Sequence, residues 1–181
     1  MKRTVILLVV LALAACGRGQ SSPPPAAAPG FQLQPPTSEP YPAPQRLYYD
    51  NGGGIQDSLR VVVREEGGLR ARWEQATSRQ TVPPPPPEVD FGRDMVVLVS
   101  AGRMTTEDQI RVDSATVTRS MDQSGEMQSV LVIHVRTTRG CGRFNVDAFP
   151  IELLRLRRFD GEVRFSERSS QAEGCGEETL W

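Results

Sequence analysis

Few side chains in this 181-residue sequence could do chemistry, and none stands in a spacing that makes a reaction plain. The one histidine, His134, lies inside "SVLVIHVRTT". It alternates in phase with Val130, Val132 and Arg136, so it reads as a residue of a strand face rather than a base. Cys141 as a nucleophile needs an activating base. Asp90 and Asp94, either side of Phe91, could share a proton as a carboxylate pair, but aspartates in "VDFGRD" more often make turns and caps. Trp73 could be a ligand platform; in phase with Leu69 and Ala76 on a helix it reads as core. Glu177 and Glu178 read as solvated surface, and Trp181 as either a docking signal or a frayed end. Gly-x-Ser-x-Gly, a Walker loop and His-Glu-x-x-His are all missing. A metal site needs three or four ligands, which a single histidine and scattered acids do not assemble, so neither a metal nor another cofactor is expected.

The third kind of chemistry is lipid attachment. Lys2 and Arg3 precede the apolar run Val5 to Ala15, which is the length of a secretory signal core and shorter than the ~20 residues a spanning helix needs. Leu13-Ala14-Ala15-Cys16 then resembles the lipobox of bacterial lipoproteins. The resemblance implies cleavage before Cys16, thioether lipidation of Cys16 and acylation of the new amino terminus. The rival is an ordinary signal peptide whose cysteine is incidental. Each buried CH₂ contributes ~0.8 kcal/mol, and more than one acyl chain makes membrane residence stable. Gly17 after the cysteine resembles the outer-membrane-directed pattern. With Cys16 lipidated, Cys141 and Cys175 remain, each in a Gly-Cys-Gly triplet. An exported protein meets an oxidising compartment, so these two are expected to pair. Closing that loop stabilises by ~3–4 kcal/mol in the chain-entropy model.

The elements that must carry these residues divide the chain in three. Residues 1–15 are the leader. Residues 16–45 hold the lipidated cysteine and a Pro/Ala/Ser-rich leash, which buries too little apolar surface to offset its ordering entropy. Its alternative role, a proline-rich peptide ligand, has few readers in a bacterial envelope. Residues 46–181 are long enough for one domain and too short for two. Once Lys2 and Arg3 leave with the leader, 19 basic residues face 22 acidic ones, a balance of about −3 that offers no nucleic-acid footprint.

Within the domain, "SLRVVVR" reads as a strand and "EEGGLRARWEQA" as a helix starting near Leu69, with Gly67 and Gly68 weakening its first turn. Five prolines, Pro83 to Pro87, form a rigid spacer. "MVVLVSAG" is a near-continuous apolar run and a candidate central strand. "QIRVDSATVTRS" and "SVLVIHVRTT" flank the polar turn "MDQSGEMQ" around Gly125 and read as a hairpin. "FPIELLRLRR" is a further strand, and "FDGEVRF" turns at Asp160-Gly161 into a last one. The expected class is β-rich α+β: an antiparallel sheet or sandwich with one packed amphipathic helix near the start of the domain.

The order of these features resembles the C-terminal domain of the protease complex subunit PrcB family. It runs "RVVVR", "RARWEQA", "PPEVDFGRDMVVLVSAGRMTT", "IRVDSATV", "RGCG" and "DAFPIELLRL", from about Leu59 to Glu167. The best-matched piece is Val89, Asp90, Phe91, Arg93, Asp94, Met95 to Val99 and Gly102. Gly140-Cys141 and Phe149-Pro150 fit the family pattern as well. That pattern next has a threonine, a glycine pair and an aromatic. Here Thr105 or Thr106 fits the threonine, while Glu107, Asp108 and Gln109 replace the rest. The resemblance implies an exported protein, often lipid-anchored, that serves as an accessory subunit of a surface subtilisin-like protease.

The expected function is that of a non-catalytic lipoprotein of the bacterial cell envelope, held at the outer membrane through Cys16, that binds or stabilises another envelope protein such as an exported protease. An enzyme with a cryptic site and an envelope lipoprotein without a specific partner are the alternatives. The polar loop Arg103, Met104, Thr105, Thr106, Glu107, Asp108 and Gln109 is the candidate partner-binding segment, because loops on a rigid sheet are where recognition residues concentrate.

Overall fold

The apolar run Met95–Val99 reveals the layering. All five side chains are fully buried. Met95, Val97 and Val99 face one core, while Val96 and Leu98 face a second. A strand does this only when both its faces are covered. The structure, a computed structural model, describes residues 35–122, 124–144 and 146–175. They form β1 Thr37–Pro40, β2 Gln45–Asp50, β3 Ser58–Val63, α1 Glu66–Thr77, β4 Asp94–Ala101, β5 Met104–Thr105, β6 Gln109–Met121, β7 Met127–Arg139, β8 Asp147–Ala148, β9 Ile151–Arg157 and β10 Glu162–Gln171.

Two four-stranded sheets make a sandwich. The first has the order β1-β6-β7-β10 and the second β2-β9-β4-β3; β5 and β8 form a separate two-stranded ribbon. Between the sheets, Met95, Val97, Val99, Leu154 and Leu156 meet Ile110, Ala115, Val117, Leu131, Ile133 and Val135. On the far face of the second sheet, Val96, Leu98, Ile151 and Leu153 pack with Leu69, Trp73 and Ala76 of α1. The fold is therefore β-rich, a sandwich with one packed helix, as the sequence leads one to expect. The pairings between named strands are antiparallel except β7 with β10, which run parallel.

The hairpin of β6 and β7 turns at Gly125, as expected. A bulge between Val112 and Ser114 adds one residue to β6. It moves the inward positions from Ile110 to Ala115 and Val117, so the alternation changes phase mid-strand.

Three points of the sequence reading need correcting. The domain begins before residue 46: Thr37–Pro40 of the leash is already β1, with Thr37 opposite Arg119 and Pro40 opposite Thr116. Its side chains are all exposed; backbone pairing and a 2.7 Å ion pair from Glu39 to Arg119 of β6 hold it, and no hydrophobic pattern announces it. Tyr41 anchors its end, donating its hydroxyl to the Arg157 carbonyl at 3.1 Å and meeting Phe159 edge-on. The leash also contributes Gln45 to β2, a strand the sequence reading does not name. Next, α1 starts at Glu66 instead of near Leu69. The Leu69 amide donates to the Glu65 carbonyl, and burial of Leu69, Trp73, Ala76 and Thr77 outweighs the propensity cost of two glycines, about 1 kcal/mol each. The Asp160-Gly161 turn leads into a last strand, as expected, and carries the chain from the second sheet to the first.

The proline spacer is strapped over the helix: Trp73 donates its indole N–H to the Pro84 carbonyl at 2.9 Å. Among the described residues no helix is long and apolar enough to cross a membrane. The leader, Cys16, the first part of the leash, Glu177, Glu178 and Trp181 lie outside the described residues.

Candidate functional site

The candidate loop is a braced corner instead of a free arm. Gly102, at φ 73°, turns the chain out of β4, where a Cβ would sit 2.8 Å from the Ser58 nitrogen. Met104 and Thr105 then pair as β5 with β8. The Thr106 amide donates to the Val146 carbonyl at 3.1 Å, and Asn51 reaches the Thr106 carbonyl. Arg103 grips Asp147 with two charge-assisted bonds at 2.9 and 2.7 Å.

Asp108 is the keystone, 4% exposed. Its carboxylate accepts from the Thr105 amide at 2.9 Å, the Gly140 amide at 2.8 Å and Arg139 at 3.3 Å. Burial pushes its pKa up, but the two backbone amides and Arg139 outweigh that and hold it below the ordinary carboxylate value. Glu107 accepts from the Arg143 amide at 3.1 Å, and a Cβ on Gly140 would meet the Glu107 Cβ at 2.1 Å. Only glycine lets β7 end so close to this turn.

The cysteines complete the corner. Cys141 and Cys175 form a disulfide with their Cα atoms 4.9 Å apart. The bridge ties the segment after β10 to the end of β7, where the Ala172 amide also donates to the Arg139 carbonyl. Beyond Cys141 the chain presents Phe144 and Val146 to solvent, 61% and 57% exposed.

Of the seven loop residues, Arg103, Thr106 and Gln109 are exposed, Thr105 and Glu107 half-buried, and Met104 and Asp108 buried. The segment therefore cannot be a wholly replaceable recognition loop, because two of its members hold the fold. Phe91 is half-buried beside the helix-side core instead of enclosed within it.

The other candidates are dispersed. His134 lies on the outer face of β7 and shares a 3.0 Å hydrogen bond with Thr116. Asp90 is a turn residue, accepting from the Gly92 amide at 3.0 Å. Asp94 stands 3.9 Å from Arg155. Trp73 is core, edge-on to Tyr48 at 4.8 Å. Among the described residues no group of three His, Cys, Asp or Glu side chains is placed to hold a metal. A groove of about 810 Å³ between α1 and residues 54–59 contains Asp57, Arg72 and Glu74 but no histidine or cysteine.

Two polar clusters, one around a buried carboxylate and one half-buried, escaped the sequence reading. Glu152 is fully buried in β9. It accepts from Arg46 at 2.6 Å and from the Val112 amide at the β6 bulge at 2.7 Å. Arg111 lies 3.9 Å over the Tyr49 ring beside it. Both carboxylate oxygens are occupied, so Glu152 is a structural anchor for the bulge. A lone acid between Ile151 and Leu153 was its sequence signal. The second cluster joins Tyr48, Asp50 and Gln80. Burial, then Asp50, pushes the Tyr48 phenol up to about 12, and its hydroxyl donates to the Asp50 carboxylate at 2.9 Å.

No family model, no curated protein and no solved structure matches this chain at a significant level.

Proposed function

We propose that this chain is a non-catalytic, lipid-anchored protein of the bacterial envelope, and that its sandwich binds and positions another exported protein through the disulfide-braced corner. The observation that carries the reading is the exposure of Phe144 and Val146 beside the rigid Arg103–Asp147 clamp. Exposed aromatics fixed on a preorganised surface are what protein interfaces use as anchors. Backbone bonding of Thr106 to Val146 joins the 103–109 loop to the second of these apolar residues. The lipobox-like leader favours an anchor, and the resemblance to the PrcB family favours a subtilisin-like protease as the partner class.

A photo-crosslinking residue in place of Phe144, in the full chain in its own envelope, is expected to capture one protein in stoichiometric yield. The same residue in place of Arg164 is expected to capture far less of it. Equal capture at both positions, or none, defeats the binding reading and leaves a spacer. A hydrolytic activity lost on changing His134, Asp90 or Asp94 makes the protein an enzyme. Cys16→Ser is expected to release the chain from the membrane; if that variant still partitions with lipid like its parent, the anchor assignment fails.

A further inference from the structure

Among the described residues, one side of the sandwich carries two sheet edges without a neighbouring strand, β10 in the first sheet and β3 in the second. Arg60 on β3 reaches Glu167 on β10 at 2.9 Å, so the two edges lie one over the other. β10 is long for an edge, at ten residues. An unpaired strand of that length offers its free backbone donors and acceptors to any strand that matches it. Val163 and Phe165 turn inward against the core between the sheets. Glu162, Arg164, Ser166 and Arg168 therefore line the open face.

We infer that β10 pairs antiparallel with β10 of a second copy of this chain about a two-fold axis, joining the two first sheets edge to edge.

The side-chain order selects both the partner and the register. A two-fold axis perpendicular to the sheet keeps each face on its own side, so inward residues oppose inward residues. With Phe165 opposite Phe165, Glu162 faces Arg168 of the second copy, twice by symmetry, Arg164 faces Ser166, and Val163 faces Glu167, whose carboxylate stays on Arg60 of its own chain. The inner core then continues through two abutting phenylalanines. Neighbouring registers fail on charge. An axis at Arg164, Glu167 or Arg168 sets that residue against itself, and an axis at Ser166 sets Arg164 against Arg168. An axis at Val163 leaves only Glu162 to Arg164 overlapping. Like charges directly opposite destabilise a pair, and opposite charges favour it.

Within one chain, Glu162 bonds Arg164 at 2.6 and 3.0 Å, while Arg168 makes no ion pair among the described residues. The second copy supplies Arg168 with its carboxylate. Charges on an edge usually prevent pairing by repelling every approach. Here they alternate so that a copy of the same edge, reversed, is complementary.

The test uses the full chain in detergent, followed by sedimentation. The wild type is expected to be a dimer in the micromolar range. Glu162→Arg and Arg168→Glu are each expected to weaken self-association about tenfold or more. Both positions are exposed, and circular dichroism checks that each variant folds. Mixing the two variants is expected to restore a heterodimer, because each reversed charge then meets its opposite. In membranes, a copy carrying Glu162→Cys is expected to cross-link to a copy carrying Arg168→Cys. Either cysteine variant alone is not, because its like positions lie at opposite ends of the paired segment. A monomeric wild type, a single reversal without effect, or a mixture that stays monomeric overturns the proposal. Cross-linking of either cysteine variant with itself overturns the register.

Discussion

The two sheets of the sandwich bury similar residues but in different numbers of layers. The second sheet lies between the first sheet and α1, and both faces of β4 and β9 are closed. The first sheet has one closed face; on the other, Thr116, Val132 and His134 are only half-buried. The centre of the second sheet is thus closed, with the side chains of Met95–Val99 fully buried. The first sheet buries Ile110, Leu131, Ile133 and Val135 on its inner face alone. The binding surface proposed above lies on the rim, where the disulfide, the Asp108 turn and Phe144 gather.

The largest expected effect is at the doubly covered centre. Leu98→Ala leaves a cavity between β4 and α1 and should cost about 3–4 kcal/mol by denaturant titration. A cost under about 1 kcal/mol would show that the helix is a loose cover and erase the contrast between the sheets.

Next comes the rim. Replacing both Cys141 and Cys175 by serine should cost about 3 kcal/mol while leaving the circular dichroism of the sheets unchanged. Loss of all folded signal would mean that the sandwich cannot stand without its rim.

Asp108→Ala should cost about 2 kcal/mol, because two backbone amides lose their acceptor. Thr106→Ala, on the exposed side of the same turn, should cost under about 0.5 kcal/mol. The folded pKa of Asp108 lies below its unfolded value. Its contribution is therefore complete above the unfolded value of about 4 and is lost as pH falls through the folded one. Asp108→Asn should flatten the stability profile below about pH 4, and an unchanged acid limb would remove Asp108 from the account.

The smallest effect is on the open face. His134→Ala removes one half-buried hydrogen bond to Thr116 and should shift stability by about 0.5 kcal/mol or less. A loss matching that of Leu98→Ala would mean that the outer face is covered by something.

Legibility followed burial. Met95–Val99 is apolar at every position, so its double cover could be inferred. Leu131, Ile133 and Val135 alternate with Val130, Val132 and His134, and both the closed and the open face could be inferred. β1 stayed hidden because "TSEP" buries no side chain and joins its sheet through backbone pairing and one exposed ion pair. The bulge in β6 was unreadable because the acid that stabilises it, Glu152, is 40 residues away from Val112 in sequence. At the corner, the disulfide partners followed from resemblance and counting. The burial of Asp108 did not, because a "TTED" segment looks the same whether it faces water or two amide donors.

By itself the sequence determined the class of the fold, the central strand, the β6–β7 hairpin and the cysteine pair, because alternation, apolar runs and a leftover pair of thiols are local or countable properties. The tertiary structure alone decided that the Asp160-Gly161 turn crosses between sheets and that β10 runs parallel to β7. It also decided that Arg103–Asp147, Asp108 and Glu152 are braces. Each of these depends on which distant backbone group or charge arrives beside a polar residue, and polar residues, unlike apolar ones, carry no mark of whether they will be buried.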